Sequence, residues 1–212
     1  MKKLTAVVCV LALVALAAQA EAKMTAGFKG GVNLGDVSGD NAPENTSTRT
    51  GIQGGAFLRH GVNEQFGVQG EVLYVQKGVE GDIETEDGDT HTATYKVDYI
   101  DIPLLFVAIF PAGDKLGFNI FGGPSFNFNM TAEADIEGHG TEDIENVKSF
   151  EFGAVIGGGL GYMLSSVSLV VDVRYSMGAT SITEEVAGVS ADMKNRGIGI
   201  MAGVAFPIGG GE

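Results

Sequence analysis

The sequence predicts an all-β protein: an eight-stranded antiparallel up-and-down transmembrane β-barrel, preceded by a cleavable signal peptide. Three observations carry that prediction. Apolar residues recur at a period of two in eight segments, short turns alternate with long loops between them, and the acidic excess sits in the long loops. The plainest segment is Leu116 to Met130. Leu116, Phe118, Ile120, Gly122, Pro124, Phe126, Phe128 and Met130 share one face, while Gly117, Asn119, Phe121, Gly123, Ser125, Asn127 and Asn129 share the other. A helix, with its 3.6-residue period, would mix the two sets. Fifteen residues at about 3.3 Å each reach about 50 Å, and a strand of that length tilted near ~45° still crosses a bilayer.

The chain opens with Lys2 and Lys3, an apolar run from Leu4 to Ala18, and small residues spaced for cleavage at Ala18-Gln19-Ala20 or Ala20-Glu21-Ala22. This is the pattern of a secretory signal peptide over residues 1–22, with the barrel domain over 23–212. The only cysteine, Cys9, lies inside that segment, so the mature chain has no thiol for disulfide or nucleophilic chemistry.

The strands then follow in order. The first, Met24 to Leu34, sets Phe28, Gly30, Val32 and Leu34 against Lys29, Gly31 and Asn33. Thr50 to His60 is the second. In the third, Gln65 to Lys77, Phe66, Val68, Val72 and Tyr74 oppose Gln69, Glu71 and Lys77. The fourth, Tyr95 to Phe110, is continuously apolar from Ile102 onward, so only Asp101 marks its polar face. After Leu116 to Met130 come Phe150 to Leu164, Val167 to Met177 and Arg196 to Phe206. Pro103 and Pro124 would each delete a ladder hydrogen bond, which predicts a bulge, a bend or an interruption at those points. No mature segment reads as a transmembrane helix. The best candidate, Phe152 to Val171, lacks charge but contains Gly153, Gly157, Gly158, Gly159 and Gly161, each costing about 1 kcal/mol relative to alanine in a helix.

The connections Gly61 to Glu64, Pro111 to Lys115 and Ser165-Ser166 are tight, whereas 35–49, 78–94, 131–148 and 178–195 are long. Short turns at one end, long loops at the other and an even strand count describe an outer-membrane barrel with both termini in the periplasm. Removing Lys2, Lys3 and Glu21 from the 13 basic and 27 acidic residues leaves 11 and 26, a net charge of −15. The four long loops hold 18 of those acids and three bases, which is the whole excess. A chain this acidic lacks the basic patch that nucleic acid requires.

Several segments also resemble a known family. Gly27-Phe28-Lys29-Gly30-Gly31-Val32-Asn33-Leu34, Phe66 to Gly78, Tyr99-Ile100-Asp101-Ile102-Pro103-Leu104-Leu105, Gly122-Gly123-Pro124 and Asn195-Arg196-Gly197 resemble, in order, successive strands of the PorT-like outer-membrane β-barrel domain family. The resemblance implies an eight-stranded barrel in the outer membrane of a Gram-negative bacterium, and it makes prolines within strands four and five expected. Such barrels commonly end on an aromatic residue. This chain departs from that pattern, because Phe206 is followed by Pro207-Ile208-Gly209-Gly210-Gly211-Glu212.

Alternation sends Lys29, Arg59, Lys77 and Arg174 into the interior opposite Glu71, Asp101, Glu151 and Asp172. Eight strands leave an interior just wide enough to be filled by side chains, whereas water-filled porins have about 16 strands. The eight residues are therefore expected to pair as a structural polar network. The acidic loops carry His91 and His139, but Asp82 to Gly88 has no glycine at the sixth position of a calcium loop, and no metal or cofactor is assigned. Ser125 has no base at a defined spacing, so no catalytic residue is assigned and the chain is not expected to be an enzyme.

The expected role is that of a small, monomeric, side-chain-filled barrel with a structural or surface-interaction function. Its expected partners are outer-membrane lipid and lipopolysaccharide, and envelope proteins that meet the loops 35–49, 78–94, 131–148 and 178–195. The alternatives are an accessory component of an outer-membrane secretion or transport assembly, and a soluble periplasmic ligand-binding barrel.

Overall fold

A computed structural model describes residues 24–39, 46–84, 90–138, 140–144, 146–183 and 192–208. The expected signal peptide, His139, parts of all four acidic loops and the tail after Ile208 lie outside the described residues. Nine strands are present among them: β1 (Met24–Ser38), β2 (Thr46–Gly61), β3 (Phe66–Glu84), β4 (Thr90–Pro111), β5 (Leu116–Ile136), β6 (Gly140–Asp143), β7 (Phe150–Leu164), β8 (Val167–Gly178) and β9 (Lys194–Ile208). All pairings are antiparallel between chain neighbours, except that β5 skips the short β6 to pair with β7, and β1 pairs with β9. The β4–β5 pairing completes the ring, so eight strands close into a barrel and β6 lies against the upper end of β5.

Closure joins the ends of the chain. The β1–β9 ladder runs without a shift from Met24↔Ile208 at the short-turn end to Ser38↔Lys194 at the long-loop end. Every strand expected from the alternation is found, and several extend further. β3 continues to Glu84, β4 begins at Thr90 and β5 continues to Ile136, so much of 78–94 and 131–148 is strand rather than loop. Threonine is frequent there and the strand neighbours supply backbone partners, which outweighs the polar composition.

The two prolines do not shift the register. Pro103 pairs with Ser125 and Phe106 with Gly122 in the same frame, and the rungs between them are missing. Gly123 makes this possible: a Cβ there would lie 2.0 Å from the Leu104 carbonyl oxygen. The shifts fall elsewhere. One lies between Thr48 and Gln53 on the β2–β3 ladder, where Gly78 takes a φ of 130°, a bulge conformation that glycine alone adopts readily. Arg49 donates to the Lys77 carbonyl beside that bulge. The other lies at Asp98/Tyr99 on the β4–β5 ladder.

The outer wall is apolar. Phe28, Val32, Ile52, Val72, Phe106, Ile120, Ile156, Val173 and Ile200 are all exposed. Phe126 and Phe128 meet Phe152 and Phe150 across the β5–β7 ladder, with ring centroids 5.6 and 5.4 Å apart. An exposed apolar surface of this extent is suited to lipid, not water. No helix among the described residues is long and apolar enough to cross a membrane, and the crossing is made by strands.

Candidate functional site

The interior is the most chemically specific part of the molecule, and its charges form two groups along the barrel axis. The lower group centres on Glu71. Its Oε1 accepts from Lys29 Nζ at 2.7 Å, Gln69 Nε2 at 2.5 Å and Arg174 Nη2 at 3.2 Å, and its Oε2 accepts from Arg174 Nη1 at 2.7 Å. Asp172 faces the same two cations, at 2.8 Å from Lys29 Nζ and 3.2 Å from Arg174 Nε. Two cations and two carboxylates thus form a closed square, with Glu71, Lys29 and Arg174 no more than 3% exposed at the side chain. Arg59 joins through a neutral amide, donating its Nε to Gln69 Oε1 at 2.7 Å.

The upper group is looser. Lys77 Nζ lies between Asp101 Oδ1 at 3.4 Å and Glu151 Oε2 at 3.6 Å. Neutral groups complete it: Asn195 Nδ2 donates to Glu151 Oε2 and to the Tyr99 hydroxyl, both at 3.1 Å. With its amide nitrogen turned toward Asp101, Asn127 donates to that carboxylate at 2.6 Å and to Ser125 Oγ at 2.9 Å.

Each cation of these groups, Arg59 excepted, also has an aromatic face beside it. Lys29 Nζ is 5.4 Å from the Phe57 ring centre, Arg174 Cζ 5.3 Å from Phe121, and Lys77 Nζ 4.6 Å from Tyr99. These are cation–π distances. Interior glycines provide the room. A Cβ at Gly157 would meet the Phe121 ring at 2.6 Å, one at Gly178 would meet Glu151 Oε1 at 2.0 Å, and one at Gly199 would meet Gln53 Nε2 at 2.2 Å.

All eight charges singled out from the alternation point inward, but they do not form one network, and the interior is not polar throughout. Leu105, Val107, Phe121 and Val155 form one buried apolar cluster, and Leu73, Val75 and Met201 form another. The period-two pattern places Phe121 inward with Asn119 and Ser125, but it does not single out the others, because their strands are apolar on both faces there. It also passes over Arg49, counted with the first long loop, which is buried and lies 3.8 Å from Asp98. Asn195, at the edge of the fourth long loop, is only 2% exposed.

Between these layers two cavities of about 20 Å³ each remain among the described residues. One is lined by Asn33, Gln53, Lys77, Asp101 and Asn195 and the other by Lys29, Arg59, Gln69 and Asn119. Each has room for about one or two waters. At the long-loop end Val37, Val79, Ala93, Val97 and Ile182 are buried, and the segment carrying Ile182 is tied down at both sides. Ile182 N–H donates to the Met193 carbonyl at 2.8 Å, and Lys148 N–H donates to the Ile182 carbonyl at 2.7 Å.

A closed ring of eight antiparallel strands, apolar outside and packed with ion pairs inside, defines a small membrane barrel of the outer-membrane type. The sequence matches the outer membrane protein beta-barrel domain over residues 17–184, and the chain belongs to that family. It is therefore an outer-membrane protein, which sets aside the soluble periplasmic barrel. No curated protein matches the sequence.

Among solved structures, neisserial surface protein A aligns with a TM-score of 0.50 at 13% identity, over 87% of this chain and 97% of that one. OprG from Pseudomonas aeruginosa aligns with a TM-score of 0.50 at 12% identity, over 87% and 95%. At these identities the likeness is one of fold.

Proposed function

We propose that this chain is a closed, non-conducting outer-membrane barrel that acts as a monomer and presents a structured, acidic outer face to envelope or extracellular partners. The observation that carries the reading is the filled interior: ion-paired layers alternate with apolar clusters, and the two interior cavities described above are water-sized. Such an interior is a folding core, so the eight lumen charges act structurally rather than as a selectivity lining. The outer end supports the same reading, because β3, β4 and β5 continue as paired strands into the acidic regions.

The role is non-enzymatic. Ser125 is buried, held among Asn127 and Asp101 in the packed interior. Residues 1–22 serve as the export signal, and N-terminal sequencing of the mature protein is expected to begin at Lys23.

Single-channel recording in planar bilayers tests the central point. Purified, refolded barrel is expected to give no discrete conductance steps above background, and stable ion-conducting openings would contradict it. The second reading, kept from the sequence, is an accessory part in an outer-membrane secretion or transport assembly. That reading predicts stoichiometric co-purification with other envelope proteins, whereas a surface-interaction barrel purifies without them.

A further inference from the structure

The lipid-facing wall carries one depression that a plain apolar band does not require. Leu34 and Asp36 on β1, Thr48 and Thr50 on β2, Tyr175 on β8, and Arg196, Gly197 and Ile198 on β9 line a hollow of about 340 Å³. It spans four adjacent strands and lies on the outer wall at the long-loop end of the apolar band. Below it on β9 comes Ile200, well exposed, and above it comes Lys194. A hollow at that height faces the headgroups of the outer leaflet.

Its chemistry is amphipathic in the same sense as a lipid. Leu34, Ile198 and the exposed Val173 offer apolar surface toward the membrane centre. Arg196 supplies the charge. Its Nε and Nη2 both donate to a single oxygen, Asp36 Oδ2, at 2.9 and 2.5 Å. That contact fixes the plane of the guanidinium and leaves Nη1 without a partner among the described residues, with the side chain still 45% exposed. Tyr175, Thr48 and Thr50 add their hydroxyls to the lining of the hollow. A guanidinium edge flanked by hydroxyls matches phosphate oxygens, and arginine is the side chain best shaped for that group.

We infer that this hollow is a binding site for the phosphorylated headgroup of an outer-leaflet lipid, with an acyl chain lying over Ile198, Ile200 and Val173. The inference rests on the placement of the barrel in the outer membrane and gives the lipid partner expected from the sequence a location. Asp36 offsets the charge of Arg196 and so limits affinity, and its removal strengthens binding.

Native mass spectrometry of the full mature barrel in detergent, titrated with bisphosphorylated lipid A, its dephosphorylated counterpart and inorganic phosphate, tests the site. Wild type is expected to retain one lipid A. Dephosphorylation of the lipid, or Arg196→Gln, lowers retention about tenfold, as loss of a charge-assisted contact does. Asp36→Asn retains as much or more, and millimolar inorganic phosphate does not displace the lipid.

Heat-modifiable gel mobility checks that each variant is folded, and Arg196→Lys provides a second folded variant that keeps the charge but loses the fork. Its retention is expected to fall between those of wild type and Arg196→Gln. Unchanged retention in Arg196→Gln overturns the site, as does equal retention of the dephosphorylated lipid. Displacement by inorganic phosphate overturns the lipid as its occupant. None of these results alters the expected absence of conductance.

Discussion

The lower and upper halves of the barrel interior follow the same alternation and contain the same residue types, yet they are held differently. Below, one carboxylate, Glu71, takes four hydrogen bonds from Lys29, Gln69 and Arg174 at 2.5 to 3.2 Å, and Asp172 balances the second cation. Above, one cation, Lys77, is shared by two carboxylates at 3.4 and 3.6 Å, and Asn127, Asn195 and Tyr99 share the load. A buried ion pair is weak evidence of net stability, but breaking one strands its partner. The interior is therefore intolerant of loss where the partners have no neutral substitute.

The largest effect is expected at the centre of the lower group. Glu71→Ala leaves Lys29 and Arg174 buried with only Asp172 between them, and should lower unfolding stability by about 3–5 kcal/mol. Urea titration of the barrel in lipid vesicles, followed by heat-modifiable mobility, measures it. A smaller loss, about 1–3 kcal/mol, is expected for Lys77→Met, because amide and hydroxyl donors remain beside Asp101 and Glu151. Equal losses in the two variants would break the distinction between the halves.

The smallest effect is expected at Lys96, whose 2.5 Å pair with Asp135 is 33% and 40% exposed at the side chains. Lys96→Ala should change stability by less than about 1 kcal/mol. A loss as large as that of Lys77→Met would mean that the extended upper hairpins matter to the fold as much as its interior does.

The barrel was legible in the sequence because its strands alternate between lipid and interior, and a period of two survives wherever only one face is apolar. Leu116 to Met130 shows it plainly. Phe118, Phe126 and Phe128 lie on the outer wall, while Asn127 is buried beside Asp101. The pattern loses information where both faces are apolar. From Ile102 to Phe110 nothing in the residue types says that Pro103, Leu105 and Val107 point inward while Leu104 and Phe106 point out. The neighbouring ladders decide it.

Strand ends were equally hidden, because the threonine-rich and acidic residues beyond Lys77 resemble a loop until β4 pairs with them. Inward direction was readable for Lys29, Glu71 and Arg174, but which charge meets which depends on stagger around the barrel. That stagger is set by the registers of the successive ladders, and no local motif announces it. The hollow at Arg196 was hidden for the same reason, since its walls come from four strands.

The most direct test of a packed, ion-paired interior is a pair of double-mutant cycles, one on Glu71 and Arg174 and one on Lys77 and Asp101, read as unfolding free energy in lipid vesicles. The first pair should couple by about 2–3 kcal/mol and the second by less than about 1 kcal/mol. If Glu71 and Arg174 show no coupling, their charges are solvated, and the interior is a water-filled lumen rather than a core.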